Sequence, residues 1–165
     1  MRSRQISCCF TGHRPEKLPW RYDEADPRCL SLKRRIAAAV ETAYEEGHRH
    51  FLCGMALGCD LYFCETVLAL RDRRPDVTVE AAVPCPTQAD AWAPDQRERY
   101  KRLVEDCDFE TLVSAKYTPY CMQRRDRYMV DHSSLLIAAA SALIHRCVLD
   151  AEREEVVEER RRDYK

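Results

Sequence analysis

The stretch FLCGMALGCD, residues 51–60, combines two glycines with a change of hydrophobic pattern. A short apolar run reaches Gly54, Gly58 follows, and apolar residues with helical spacing begin after it. This order predicts a strand, a turn and a helix, and the free N–H groups at such a helix start can hold an anion or a phosphate. The alternative is a tight turn that needs glycine for its backbone angles and binds nothing. Asp60 could act as a base or could simply compensate the helix dipole.

A second candidate, TGHRP at residues 11–15, follows the strand-like run at residues 5–10. It places a hydroxyl, a glycine, an imidazole and a guanidinium directly after a strand, where open α/β sheets bind their ligands. Arg14 could pair with both oxygens of a phosphate or carboxylate. The alternative is a surface salt bridge for Arg14 and no special task for His13.

A third candidate is the cationic stretch at residues 116–132, which carries three arginines among three tyrosines. On a helix Arg124 and Arg127 share one face, with Tyr120 and Tyr128 nearby, so that they could act together. The alternative is a solvated face whose arginines are balanced by neighbouring aspartates.

Composition limits the classes of function. The chain has 165 residues, enough for one domain, and its formal net charge of −1 provides no global field for nucleic acid. No apolar run approaches a signal core or a membrane span, which predicts a cytoplasmic protein without membrane contact. Ten cysteines include no C-x-x-C pair and no zinc-finger spacing, so we expect structural thiols and no metal.

The elements that must position these candidates alternate between strand and helix. This alternation predicts an α/β, Rossmann-like, doubly wound and mainly parallel sheet with helices on both faces. Strands are predicted at residues 5–10, 51–53, 77–83, 109–113 and 133–138, and helices at residues 30–46, 59–74, 93–107 and 116–132.

Two segments fall outside this alternation. Residues 17–28 form a long irregular loop that is either functional or a lid, in which Trp20 and Tyr22 could stack on a base or pack in the core. Residues 139–148 could be a strand pair or a helix start. We expect one domain at residues 1–149 and an exposed or frayed charged helix at residues 150–165.

Four ordered motifs resemble one family. They are TGHRP, GMALGCD, PCPTQADAW and RYMVDHSSLLIA, and together they are similar to the YpsA-like branch of the SLOG superfamily, relatives of the DprA and LOG proteins. The branch occurs in bacteria and their prophages. The resemblance covers residues 5–138 and implies a Rossmann-like fold whose strand-end loops form a pocket for a nucleotide or a nucleotide-derived ligand.

The resemblance also implies site residues. The ligand-facing candidates are Thr11, Gly12, His13, Arg14, Gly54, Ala56, Gly58 and Asp60, with Arg124, Arg127, Asp131 and Ser133 bordering the same pocket. The chain departs from the family because no glycine follows Gly58, so the phosphate loop of LOG-type phosphoribohydrolases and its catalytic glutamate are missing. This departure indicates a C-terminus that is remodelled, truncated or frame-shifted, and it counts most against hydrolysis.

The leading hypothesis is therefore a non-catalytic sensor or sequestering module for an ADP-ribose- or NAD-like ligand, without a bound cofactor. One alternative is hydrolysis or transfer at a nucleotide N-glycosidic bond, for which Asp60 is the candidate catalytic carboxylate. Another is DprA-like nucleic-acid binding through Arg124, Arg125 and Arg127, which the near-zero net charge disfavours. A homo-oligomer could use the apolar run at residues 138–148.

Overall fold

The computed structural model describes residues 3–140 and 143–149. Within them one sheet contains six strands: β1 (Ser7–Gly12), β2 (His50–Cys53), β3 (Thr78–Val83), β4 (Phe109–Leu112), β5 (Leu135–Ala140) and β6 (Leu143–Val148). Their connections contain four α-helices: α1 (Pro27–Glu45), α2 (Cys59–Arg73), α3 (Pro94–Asp106) and α4 (Cys121–Asp131). The charged tail predicted at residues 150–165 lies outside the described residues.

The strand order is β4-β3-β2-β1-β5-β6. Strands β1 to β5 are parallel, and β6 pairs antiparallel with β5. The chain moves outward from β1 to β4 and then crosses to the other side of β1, which places the topological switch point between β1 and β5. The predicted Rossmann-like architecture is confirmed, and the described residues 139–140 and 143–148 belong to a strand pair rather than to a helix.

The helices cover both faces of the sheet unequally. Buried residues of α1, α2 and α3 form one large core with inward residues of the strands, including Phe10 and Phe51. The smaller core on the opposite face joins Met129 of α4 to Cys9 and Leu52. Successive residues of β1 thus contribute to opposite cores, as the strand period of two requires.

Strand β1 extends two residues beyond its predicted end. Thr11 and Gly12 belong to the strand because they pair with Ala138 and Ala139 of β5. A sequence pattern of apolar residues ends at Phe10, whereas the ladder depends on backbone pairing and continues to Gly12. The TGHRP motif therefore contains the last two residues of a strand as well as the loop after it.

Both outer strands have exposed apolar side chains. On β6, Leu143 and Val148 have 54% and 83% of their surfaces exposed. The predicted oligomer contact through this region stays a prediction. Among the helices of the described part of the chain, none has the length and apolarity that crossing a membrane requires.

All ten cysteines lie in the described ranges, and all are free thiols. Eight are buried, while Cys107 and Cys147 are partly exposed. Burial raises the pKa of the Cys59 thiol to about 12, so it stays protonated at neutral pH. These thiols pack as small apolar groups, as predicted.

Candidate functional site

The two glycine-containing motifs meet at the carboxyl ends of β1 and β2, and we call the segments at residues 12–15 and 54–58 the two glycine loops. The N–H of Cys59, the first residue of α2, donates a hydrogen bond to the carbonyl oxygen of His13 at 3.2 Å. Gly58 has φ +87°, and a Cβ atom at this position would lie 2.8 Å from that same oxygen. A side chain at Gly58 would therefore force the loops apart. The structure brings together the two motifs that the sequence placed 40 residues apart.

Gly12 permits a second close approach, between the end of β1 and the start of α2. A Cβ atom on Gly12 would lie 2.5 Å from the Cβ of Cys59, closer than carbon atoms can approach. The end of β1 thus lies directly against the start of α2. The residue that precedes α2 at the N-cap position is Gly58, which has no side chain to cap the helix, so the amino end of α2 faces this edge with backbone groups alone.

Asp60 is buried inside the second loop. Its Oδ2 accepts a hydrogen bond from the N–H of Ala56 at 3.2 Å, across a turn in which Met55 has φ 62°. Burial raises the pKa of the Asp60 carboxyl to about 6, although the positive charge of Arg125 and the bond from Ala56 oppose the rise. The carboxyl therefore exchanges its proton under mildly acidic conditions.

Arg125 is a buried cation at the same edge, with 5% of its surface exposed. Its Nη1 donates to the carbonyl oxygen of Gly54 at 2.5 Å, and its Nε donates to Oδ1 of Asp126 at 2.7 Å. A Cβ on Gly54 would lie 2.9 Å from Oδ2 of Asp60 and 3.1 Å from Cζ of Arg125. Gly54 thus leaves the space into which the carboxylate and the guanidinium both project.

Sequence reasoning did not place Arg125 among the ligand-facing candidates. Its signal is positional, because Cys121, Arg125 and Met129 are the buried residues of α4 and follow each other at intervals of four. A charged residue on the buried stripe of a helix needs a partner, and the carbonyl of Gly54 provides one.

The other predicted residues of α4 lie elsewhere. Arg124 and Arg127 are on its exposed face, and Nε of Arg127 is 3.5 Å from Oδ2 of Asp131. Ser133 precedes β5 by two residues, about 20 Å from the strand's carboxyl end at roughly 3.3 Å per residue. The structure therefore does not bring Asp131 and Ser133 to the glycine loops, and the ligand-facing role of these four residues stays a prediction.

A long loop closes one side of this edge. The segment at residues 18–26, here called the strap, is held by Glu24, which accepts hydrogen bonds from Lys33 at 2.8 Å and from Arg99 at 2.6 Å. Burial alone would raise the pKa of Glu24, but these two cations lower it below its usual value. Glu24 therefore remains ionised, and the strap stays attached to α1 and α3.

The two aromatic residues of this loop have different surroundings. Trp20 is buried, and its Nε1 donates to the hydroxyl of Tyr62 at 3.5 Å. Tyr22 is half exposed and donates to Glu16 at 3.3 Å. Trp20 thus belongs to the core, whereas Tyr22 remains available at the surface.

A shallow, solvent-open cleft lies between the strap, the start of α2 and the start of α3. Pro15 and Gly58 of the two glycine loops border it, as do Arg21, Tyr22 and Gln96. The Oε1 atom of Gln96 is buried and accepts no hydrogen bond from the described residues. In residues 3–140 and 143–149, no three His, Cys, Asp or Glu side chains are grouped so as to hold a metal ion.

Comparisons with known proteins agree with this architecture. The YpsA family model, described as the YspA SLOG family, matches residues 8–140, a range that contains both glycine loops and Arg125. The SPbeta prophage-derived protein YoqJ of Bacillus subtilis is 31% identical over 126 residues, 68% of this chain and 74% of YoqJ.

Two further relatives are more distant. The UPF0398 protein RBAM_020340 of Bacillus velezensis is 24% identical over 77% of this chain and 70% of its own length. A UPF0398 protein of Leuconostoc citreum is 29% identical over 75% of this chain and 66% of its own length. The family model covers most of the chain and both loops of the site. The protein belongs to the YspA SLOG family.

Proposed function

We propose that this protein binds a nucleotide or a nucleotide-derived ligand such as ADP-ribose or NAD, as a sensor or a sequestering module. The observation that carries the proposal is the contact between the loop after β1 and the glycine turn that begins α2. Both lie at the carboxyl edge of a parallel sheet, and the first lies beside the switch point, where doubly wound folds bind their ligands.

Charge supports a ligand that carries phosphate. Arg14 is exposed at the start of the first loop and has no ion-pair partner in the part of the chain that the structure describes. Its guanidinium is thus available for two parallel hydrogen bonds to phosphate oxygens. The amino end of α2, which has no side-chain cap, adds the favourable end of a helix dipole to the same edge, although the N–H of Cys59 already donates to His13.

Isothermal calorimetry with ADP-ribose, NAD, AMP and cyclic AMP tests the proposal. We expect at least one ligand to bind, and we expect Arg14→Ala to weaken that binding about tenfold or more, the loss of one charged hydrogen bond. The matched control is Arg102→Ala, which removes an exposed arginine of α3. No heat from any ligand at concentrations that reveal micromolar affinity, or equal losses in the two variants, would contradict the proposal.

One observation favours a second candidate, cleavage of a nucleotide N-glycosidic bond. The Asp60 carboxyl has a pKa of about 6, which suits proton transfer near neutral pH. Release of free base, measured by chromatography and absent in Asp60→Asn, would support this activity. Binding without turnover across a nucleotide panel would contradict cleavage and would be consistent with the sensor function.

A further inference from the structure

Two free thiols from different elements lie in contact on the face of the sheet that α1, α2 and α3 cover. The Sγ atom of Cys64 on α2 is 3.9 Å from the Sγ atom of Cys107, which follows the last residue of α3. The two cysteines are 43 positions apart in the chain. Neither belongs to the glycine loops, so the chemistry of this pair is independent of the proposed ligand site.

A second contact holds the same two elements together beside the thiols. Asp108, the neighbour of Cys107, accepts hydrogen bonds from Nη1 of Arg71 at 2.9 Å and from the N–H of Val79 at 2.8 Å. Arg71 follows Cys64 by seven residues, about two turns of α2, and therefore lies on the same side of that helix. Two consecutive residues after α3 are thus attached to one side of α2, which keeps the two sulfur atoms adjacent.

The distance between the sulfur atoms is close to that of a disulfide bond. Bonded sulfur atoms are about 2.05 Å apart, so one Sγ atom must approach the other by about 2 Å. Rotation about a Cα–Cβ bond moves the sulfur alone and can supply this approach. Because Cys64 and Cys107 lie on separate elements, the bond closes a loop that contains β3 and α3.

The two thiols differ in their access to solvent. Cys107 is partly exposed, whereas Cys64 is buried. The hydrogen bond with Cys64 and burial raise the pKa of Cys107, although the positive charge of Arg71 opposes the rise. The hydrogen bond with Cys107 lowers the pKa of Cys64, but Cys53 and burial raise it above its ordinary value. Both thiols are therefore protonated at neutral pH, and we expect them to react slowly there.

We propose that Cys64 and Cys107 form a reversible disulfide bond when the protein meets a hydroperoxide. The ionised Cys107 sulfur attacks one oxygen of hydrogen peroxide, which breaks the O–O bond, forms a sulfenic acid and releases water once the thiol proton is transferred. The ionised Cys64 sulfur then attacks the Cys107 sulfur and displaces the sulfenic oxygen as a second water. The two thiols lose two electrons, which hydrogen peroxide gains, and a dithiol reductant reverses the change.

Mass spectrometry of protein treated with hydrogen peroxide and then alkylated tests the proposal. Trypsin releases Cys107 as the only cysteine of residues 103–116, and it releases Cys64 with Cys53 and Cys59 in residues 50–71. We expect these two peptides to be joined, with Cys64 assigned by fragmentation, and both thiols to be recovered after treatment with dithiothreitol. The bond should form faster as the pH rises from about 7 to 9, because the attacking thiol must ionise.

Matched variants and the melting temperature provide the controls. Cys107→Ser and Cys64→Ser should abolish the cross-link, whereas Cys121→Ser, at a buried cysteine of α4, should retain it. The oxidised parent protein should melt about 5 °C or more above the reduced protein, because the bond constrains the unfolded chain. Oxidation should not raise the melting temperature of Cys107→Ser.

Each of three results would overturn the proposal. The first is a Cys107 that remains a thiol or becomes a sulfinic acid without any cross-link. The second is a bond from Cys107 to Cys53 or Cys59 instead of Cys64. The third is a cross-linked protein that melts below the reduced protein, which would show that the folded structure does not accommodate the bond. Circular dichroism confirms that each variant is folded, and mapping the bond in the parent protein requires no variant.

Discussion

Two polar clusters lie at different ends of the strands: one begins at the first residues of β2 and β3, and the other lies at the carboxyl ends. They satisfy their hydrogen bonds in different ways. The sheet cluster comprises His50, Thr78, Glu80 and Tyr128, on the face covered by α4. The edge cluster comprises Arg14, Gly54, Asp60 and Arg125, at the carboxyl ends of the strands. In the first the protein supplies each polar group with a protein partner, and in the second the pairing of Asp60 and Arg14 within the described residues is less complete.

In the sheet cluster, both ring nitrogens of His50 and both carboxylate oxygens of Glu80 have protein partners. Nδ1 of His50 is 2.8 Å from the hydroxyl of Thr78, and its Nε2 is 3.6 Å from Oε1 of Glu80. The hydroxyl of Tyr128 donates to the other oxygen of Glu80 at 2.9 Å. Burial alone would raise the pKa of Glu80, but the close imidazole of His50 and the hydrogen bond from Tyr128 lower it. This cluster stabilises the docking of α4.

In the edge cluster the balance is reversed for the carboxylate. Asp60 accepts one hydrogen bond from the described residues, from the N–H of Ala56, and its pKa is raised because burial outweighs this bond and the positive charges of Arg125 and Arg14. Arg14 has no ion-pair partner among the described residues. The comparison teaches that a buried carboxylate stabilises a fold only where enough donors surround it, and the incomplete pairing lies at the edge where we propose that a ligand binds.

The largest effect is expected from breaking the edge itself with Gly58→Ala. The new Cβ meets the carbonyl of His13 at 2.8 Å, and the positive φ adds backbone strain. We expect the free energy of unfolding to fall by about 4 kcal/mol, since strain and overpacking each contribute about 1–3 kcal/mol. Ligand binding should be lost, as calorimetry would show.

The matched control for this change is Gly47→Ala. Gly47 also has a positive φ, +105°, but a Cβ there meets nothing within 4 Å. Urea unfolding should show a loss of only about 1 kcal/mol, with ligand affinity retained. Equal losses of stability and affinity in the two variants would show that the contact between the loops is unimportant.

A smaller effect should appear in the pH dependence of stability. The folded pKa of Asp60, about 6, lies above its ordinary value of 3.8, so the folded state binds the proton more tightly. The free energy of unfolding should therefore fall as pH rises from about 4 to 6, by about 3 kcal/mol at most, at 1.36 kcal/mol per pKa unit. Urea unfolding at several pH values measures this slope.

The Asp60→Asn variant is the control for this dependence of the free energy of unfolding on pH. Its amide oxygen can still accept the bond from Ala56, but the side chain does not ionise. The part of the slope due to Asp60 should disappear, and the variant should be more stable than the parent at pH 7. If the two proteins have parallel profiles between pH 4 and 6, Asp60 does not carry the dependence.

The smallest effect is expected in the sheet cluster. Tyr128→Phe removes the donor to Glu80 and keeps the ring, so the free energy of unfolding should fall by about 1 kcal/mol. Ligand affinity should stay within a factor of two of the parent value, because Arg125 retains its own bond to Gly54. A large loss of affinity in folded Tyr128→Phe would mean that the two clusters act as one.

Hydrophobic pattern was enough to predict much of the fold. The alternation of strands and helices has local causes, and the structure confirms it; Pro94 is the first residue of α3, and Gly47 follows α1 with a positive φ. The end of β1 could not be predicted from the sequence pattern, because Thr11 and Gly12 are strand residues only through pairing with β5. Pairing between distant segments leaves little trace in a local pattern.

The candidate site divides in the same way. The sequence by itself determined that each of the first two apolar strand runs is followed by a motif with a glycine, since a break in an apolar run and a glycine are local features. Only the tertiary structure decided that Gly58 touches His13, and that Arg125, rather than Arg124 or Arg127, faces Gly54. The reason is physical: one residue along a helix rotates a side chain by about 100°, so the docking of α4 on the sheet chooses which arginine is buried.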